Sequence, residues 1–224
     1  PGFYDAVRPP EQWERDELSK LPITEDDYAK FLGVTEFFPP PGYSSLEGIR
    51  FCPTLEFNGV GGGYQGEGSK TVIPAEAFAK ITCRLVPDQK AEDIARKVKQ
   101  AIIEACPSAV RVEVELKGGG DPYVVIPPGK PGSSGQESDL MKKAFSVAED
   151  CIESNFGTRP IFLREGGSIP IIQDLKELAG LDSLMIGLFT NEDNLHAPDE
   201  SFHLGIMERA INSFEEFFNQ LVRD

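Results

Sequence analysis

The run Gly118-Gly119-Gly120-Asp121-Pro122 separates two kinds of hydrophobic pattern, and that break constrains the fold more than any other stretch. Upstream of it, apolar and polar residues alternate, as they do in strands with one wet face. Thr54-Leu55-Glu56-Phe57-Asn58-Gly59-Val60 reads this way. So does Ala75 to Val86, which puts Ala77, Ala79, Ile81, Cys83 and Leu85 on one face and Phe78, Lys80, Thr82 and Arg84 on the other. Val110 to Leu116 alternates again. Between them, Ala91 to Ala105 carries Ile94, Val98, Ala101, Ile102 and Ala105 at helical spacing. Strand, strand, helix, strand is a ferredoxin-like βαββαβ sandwich without its first strand and helix. A sheet in that state exposes an edge and an uncovered face.

Downstream of the break, Ile161-Phe162-Leu163 and Ser183 to Leu188 are continuous apolar runs, read as buried strands. They alternate with helices, which is the grammar of an α/β layer. Ser134 and Glu137 fit a capping box for a helix running to about Phe156, with Met141, Ala144, Phe145, Ala148 and Ile152 along one side. Further helices are expected from Ile169 to Ala179 and from Asp199 to about Val222, the last with the stripe Phe202, Ile206, Ala210, Phe214, Phe217 and Leu221. Before Thr54 there is little periodicity. Pro1 to Pro10 looks extended, short helices are expected at Glu11–Lys20 and Glu25–Leu32, and Pro39-Pro40-Pro41-Gly42 interrupts the chain. The expected division is a covering segment over 1–52, one unit over 53–120 and a second over 121–224.

The 22 basic and 37 acidic residues leave a net charge of -15, which argues against nucleic acid and anionic membrane surfaces as partners. No apolar run approaches a membrane span. The chain begins at Pro1 rather than Met, so an upstream segment is expected. Cys52, Cys83, Cys106 and Cys151 are far apart with no C-x-x-C, so neither a disulfide framework nor a thiolate zinc site is indicated. A reduced, cytoplasmic setting is the expectation.

Two places can carry chemistry. Leu163-Arg164-Glu165-Gly166-Gly167-Ser168-Ile169-Pro170 reads as strand, glycine turn and helix start. The first N–H groups of such a helix, with Arg164 beside them, suit an anionic group. The same stretch reads equally as an ordinary βα turn with a serine N-cap. The second place is the polar loop Asn191 to Glu200, which holds His196 just after a buried run. Ligand residues tend to lie in such loops. One His is not a metal site, and by chemistry alone a loop histidine capping the last helix is the simpler reading. His203, the second histidine, reads as structural. The Gly-rich stretch Gly61 to Lys70 lacks the ending and the following helix of a phosphate-binding loop.

Four motifs taken together carry a resemblance. They are Gly66-Glu67-Gly68-Ser69-Lys70-Thr71-Val72-Ile73-Pro74, then Ile81-Thr82-Cys83-Arg84-Leu85-Val86-Pro87, then Arg164 through Pro170, then Leu195-His196-Ala197-Pro198. In that order and spacing they resemble the carnosinase-like dipeptidases of the di-zinc exopeptidase and deacylase family. The resemblance covers nearly the whole chain, most loosely before Pro53. It implies that 53–120 is a lid, or dimerisation, domain missing its first βα unit, and that 121–224 closes an α/β zinc-peptidase catalytic domain. It implies His196 as a metal ligand and Thr71 and Arg84 as lid residues binding the substrate and its carboxylate, often across a homodimer interface. It also implies a carboxylate-binding turn at Arg164, Gly166, Gly167 and Ser168. The cofactor implied is a pair of zinc ions, or manganese in some dipeptidases. The family's other metal ligands, its general base and a lid histidine are expected upstream, because no stretch before Gly166 supplies them. The chain is thus expected to be inactive alone and to need the N-terminal catalytic half. The expected activity of the whole is hydrolysis of a peptide bond beside a free carboxylate. The alternatives are an acyl-amino-acid deacylase or desuccinylase, and a non-catalytic dimerisation module.

Overall fold

The computed structural model describes residues 1–165 and 169–223, without the side chain of Pro170. The elements in chain order are α1 (Gln12–Leu18), α2 (Glu25–Leu32), α3 (Ser45–Phe51), β1 (Thr54–Gly62), β2 (Ala77–Arg84), α4 (Ala91–Ala105), α5 (Asp139–Phe156), α6 (Pro170–Ala179), a 3-10 turn (Asn191–Asp193) and α7 (Leu204–Leu221). They divide into two compact units. Unit 1 holds Pro1–Pro10, Glu25–Tyr123 and Arg164–Gln173, and unit 2 holds Glu11–Thr24, Val124–Leu163 and Asp174 onward.

Unit 1 is built on an antiparallel ribbon. Thr54 faces Arg84, Phe57 faces Ile81 and Gly62 faces Ala77. The register slips between Phe57 and Gly59, so Asn58 is the extra residue of a bulge. Beyond it, Gly61 is buried beneath the Phe78 ring. A Cβ at that position would come within 2.5 Å of the ring carbons, so only glycine lets the aromatic lie flat on the strand. The core at the other end of the ribbon is Phe51, Cys52, Val86 and Ile94. Gln89 joins it to the opening segment. Its carbonyl oxygen accepts the Val86 N–H at 3.0 Å, and its amide donates to the Phe3 carbonyl at 2.8 Å. Lys97 donates to the Gly2 carbonyl and Arg8 pairs with Asp88, so the opening segment is tied to α4 and the turn before it; it is not extended throughout, since Phe3 to Ala6 form a turn.

The expected third strand of this unit is corrected here. Val112 and Val114 are half-buried and their neighbours exposed, so the alternation of Val110 to Leu116 is real, yet the stretch is no strand among the described residues. Among the described residues the sheet has two strands, which fits a mixed α/β chain without completing a ferredoxin-like topology. A ladder needs a neighbour for its N–H and C=O groups. Phe57 and Val60 stay 64% and 75% exposed, so the apolar face of the ribbon is largely uncovered.

Unit 2 centres on α5 packed against α7. Ala144, Phe145, Ala148 and Cys151 of α5 are buried, as are Ala210 and Ser213 of α7. Small residues at both contacts let the helices approach closely. Phe145 also meets Phe162 with ring centroids 6.0 Å apart. The N-cap of α5 is Ser138, whose hydroxyl accepts the Met141 N–H at 3.1 Å, not Ser134 as the sequence suggested. Ser134 does meet Glu137, but in the turn before the helix. Ile161–Leu163 and Ser183–Leu188 are likewise no strands among the described residues. Ile186 and Leu188, both half-buried, instead line a small cavity together with Ala148, Cys151, Ser213 and Phe217. Glu17 of α1 is buried, with its carboxylate accepting the Phe162 N–H at 3.2 Å and Lys20 at 2.7 Å.

Candidate functional site

The candidate residues fall in both units. Thr71, Arg84 and Arg164 lie in unit 1 and His196 lies in unit 2. Gly166, Gly167 and Ser168 lie outside the described residues, so the expected carboxylate-binding turn is represented by its flanks only.

Arg84 is the last residue of β2, opposite Thr54, and is exposed. Its face of the ribbon is polar. Glu56 stands between Thr54 and Thr82 and accepts a hydrogen bond from each. Thr71 sits in the loop beyond the other end of the ribbon. At ~3.3 Å per residue, β2 holds Arg84 roughly 23 Å from the start of that loop. The ribbon itself therefore does not bring Thr71 and Arg84 together.

The loop is folded on Tyr64. Its phenol donates to the Glu67 carbonyl at 3.1 Å, and the Lys70 ammonium lies 5.3 Å from its ring centroid. The Val72 N–H then donates to the Lys70 carbonyl at 3.0 Å, which makes exposed Thr71 the apex of a three-residue turn. The sequence reading passed over Tyr64. The available signal was a lone aromatic ring inside a glycine run.

Arg164 is half-buried and its guanidinium lies over the Phe51 ring, 5.2 Å from the centroid. Glu165 pairs with Arg50 at 3.5 Å. Both partners belong to α3, a helix the sequence reading missed although Ser44 and Glu47 form a complete capping box in front of it. A guanidinium is planar and can grip an anion at two points.

His196 is held by a strained loop. Asp193 is buried and organises it. Its carboxylate accepts the Thr190 N–H at 2.7 Å, and its carbonyl accepts the Ser201 N–H at 2.9 Å. Asn194, His196 and Asp199 have φ of 53°, 62° and 61°. Asn and Asp visit left-handed backbone routinely, so the cost of about 1–2 kcal/mol falls mainly on His196. The simpler role once open to His196, capping the last helix, is filled by His203. Its Nδ1 accepts the Gly205 N–H at 3.1 Å.

Among the described residues, no group of three or more His, Cys, Asp or Glu side chains is placed to hold a metal ion. The side chains present therefore do not fit a metal pair by themselves. Unit 2 also has an open cleft of about 580 Å³ lined by Glu17, Lys20, Phe145, Glu149, Arg159 and Phe162. Of its cations, Arg159 pairs with Glu149 at 2.8 Å, Lys20 with Glu17 and Lys142 with Asp139, while Lys130 lies over the Trp13 ring, and none of the candidate residues lines the cleft. No described helix is long and apolar enough to cross a membrane.

Comparison with known proteins bears on both units. Residues 38–110 match the family model of the peptidase dimerisation domain. The Cys-Gly metallodipeptidase of Schizosaccharomyces pombe is 26% identical over 225 residues, covering 99% of this chain and 44% of that protein. The human Beta-Ala-His dipeptidase is 23% identical over 226 residues, covering 100% of this chain and 42% of that protein. Among solved structures, a metallo-carboxypeptidase from Sulfolobus solfataricus superposes with a TM-score of 0.75 at 27% identity, covering 98% of this chain and 47% of that one. The chain thus spans less than half the length of these relatives.

Proposed function

From a chain that carries a peptidase dimerisation domain at residues 38–110, we propose that the whole protein is a metal-dependent dipeptidase. It hydrolyses a peptide bond next to a free C-terminal carboxylate. Residues 53–120 serve as its lid and 121–224 as the closing part of its catalytic domain. The observation that carries the reading is His196. It sits exposed at φ 62° on a loop organised by buried Asp193, while His203 takes the capping role, so the strained backbone presents an imidazole that does not cap the helix.

His196 supplies one imidazole to the metal site, and the remaining ligands come from the N-terminal catalytic half. Zinc is the metal expected, with manganese the other candidate. Arg84 grips the substrate carboxylate, since a guanidinium matches it in two parallel hydrogen bonds. Arg164, Gly166, Gly167 and Ser168 form a second anion seat, and Thr71 contacts the substrate from the lid loop. The distance along the ribbon between Arg84 and that loop supports a homodimer in which one protomer's lid serves its partner's site. Dipeptides are preferred over acylated amino acids because two of the relatives above are dipeptidases by name. The four unpaired thiols suit a reducing, cytoplasmic compartment.

The test is hydrolysis of a dipeptide panel by the whole protein. Turnover is expected that chelator abolishes and zinc or manganese restores, and His196→Ala is expected to lower the metal bound per chain. The 224-residue chain alone should be inert. Turnover indifferent to chelator would overturn the reading, as would hydrolysis confined to N-acyl amino acids.

A further inference from the structure

We propose that Tyr64 is a positioning residue, which folds the lid loop into a clasp that sets Lys70 and Thr71 against the substrate. This rests on the reading of Thr71 as a substrate contact. Three observations converge on one ring. The first is space. A Cβ on Gly66 would lie 2.5 Å from the phenol oxygen and 2.6 Å from the ring carbon bearing it, so the chain passes directly beneath the ring and only glycine allows this. The second is the hydrogen bond from the phenol to the Glu67 carbonyl at 3.1 Å, which fastens the ring to the turn it covers. The third is the Lys70 ammonium over the ring face at 5.3 Å. A cation there is attracted by the negative face of the aromatic.

The consequence falls on Thr71. A lysine side chain is long and flexible, and a glycine-rich loop has little to fix it. Anchoring Lys70 on Tyr64 fixes the first residue of the turn closed by the Val72 N–H on the Lys70 carbonyl. Thr71 is the apex of that turn. The ring thus acts through Lys70 and Thr71 and touches no substrate atom itself. It orders the loop before binding, so that the substrate does not have to do so.

The experiment uses the whole protein and three variants, Tyr64→Leu, Gly66→Ala and Tyr64→Phe, with two readouts. One is kinetics on a dipeptide. The other is the rate of tryptic cleavage after Lys70, which needs no activity. For Tyr64→Leu and Gly66→Ala, KM is expected to rise about tenfold with kcat within about twofold, the signature of lost binding rather than lost chemistry. Cleavage after Lys70 should quicken by about tenfold as the loop opens. Tyr64→Phe keeps the ring and loses the phenol, so it should stay within about threefold of wild type in both. Faster cleavage with unchanged KM would overturn the proposal, since the clasp would then position nothing. Unchanged cleavage would show that there is no clasp. If the wild-type protein hydrolyses no dipeptide, the proposal falls with the functional reading, and the cleavage pattern separates that failure from absence of the clasp.

Discussion

Asp121 accepts the backbone N–H of Ala91 at 2.8 Å and so caps a helix that began 30 residues earlier. Residue Lys90, the N-cap of α4 by position, makes no side-chain cap of its own. Its ammonium instead donates to the other Asp121 oxygen, also at 2.8 Å. The glycine run before Asp121 therefore does more than mark a boundary. It lets the chain return to the start of α4.

A stability prediction follows from this cap. Asp121→Ala should cost about 0.5–2 kcal/mol, the usual range for loss of an N-cap. The Lys90 hydrogen bond first, and the Ala91 N–H second, hold the Asp121 carboxyl below its ordinary range. A carboxylate whose value is lower in the folded state contributes stability above its unfolded value of about 3.9. That contribution fades as the pH falls through the lowered folded value. Urea unfolding of both proteins at pH 7 and at stepwise lower pH should show the gap between them closing in acid. A gap of constant size would mean that the charge contributes nothing.

The two histidines should behave oppositely. His203→Ala removes the acceptor for the Gly205 N–H and should destabilise the chain by about 1 kcal/mol, while His203→Asp restores a cap and most of the loss. His196→Gly should be neutral within about 1 kcal/mol, because glycine occupies left-handed backbone freely while adding freedom to the unfolded chain. Thermal unfolding of the three variants decides it. Equal losses at both positions would contradict the division of roles.

Thiol reactivity offers a third check. Cys52 and Cys151 are buried, and burial pushes both thiols up from their ordinary range. Cys83 is half-buried and is raised by burial and then by Glu56. In the native chain, the half-buried Cys83 and Cys106 should therefore be alkylated before Cys52 and Cys151, which should react at least about tenfold more slowly. Mass spectrometry of partly labelled chain reads the order directly. Early labelling of Cys151 would mean that the α5–α7 contact opens readily.

What could be read from the sequence was the local part of the structure. Helices α2 and α4 run over the expected residues, Glu25–Leu32 and Ala91–Ala105, because the residue spacing that marks them lies within the segments themselves. The ribbon strands were expected too, with ends moved by a residue or two. The rest depends on partners far along the chain. Val110–Leu116 has the alternation of a strand, but alternation reports which side chains face inward, not whether a neighbour accepts the backbone hydrogen bonds. The same holds for Ile161–Leu163 and Ser183–Leu188. The cap of α4 was invisible because it comes from Asp121. Helix α3 was legible and missed, since Ser44 and Glu47 spell its start. At the candidate site, the sequence could name His196 as a residue worth attention. The buried Asp193 beneath it and the helix-capping role of His203 needed the fold.

The most direct test of the central claim, that Arg84 reads a substrate's free carboxylate, compares each dipeptide with its C-terminal amide in the whole protein. Wild type should strongly prefer the free acid. Arg84→Lys should weaken use of the acid by about 10-fold or more, since a lysine cannot copy the two-point grip, and should leave the amide nearly unchanged, so that the acid-to-amide ratio collapses while the fold is retained. If wild type and Arg84→Lys handle acid and amide with the same ratio, Arg84 does not read the carboxylate, and the account of this chain as a carboxylate-binding lid is contradicted.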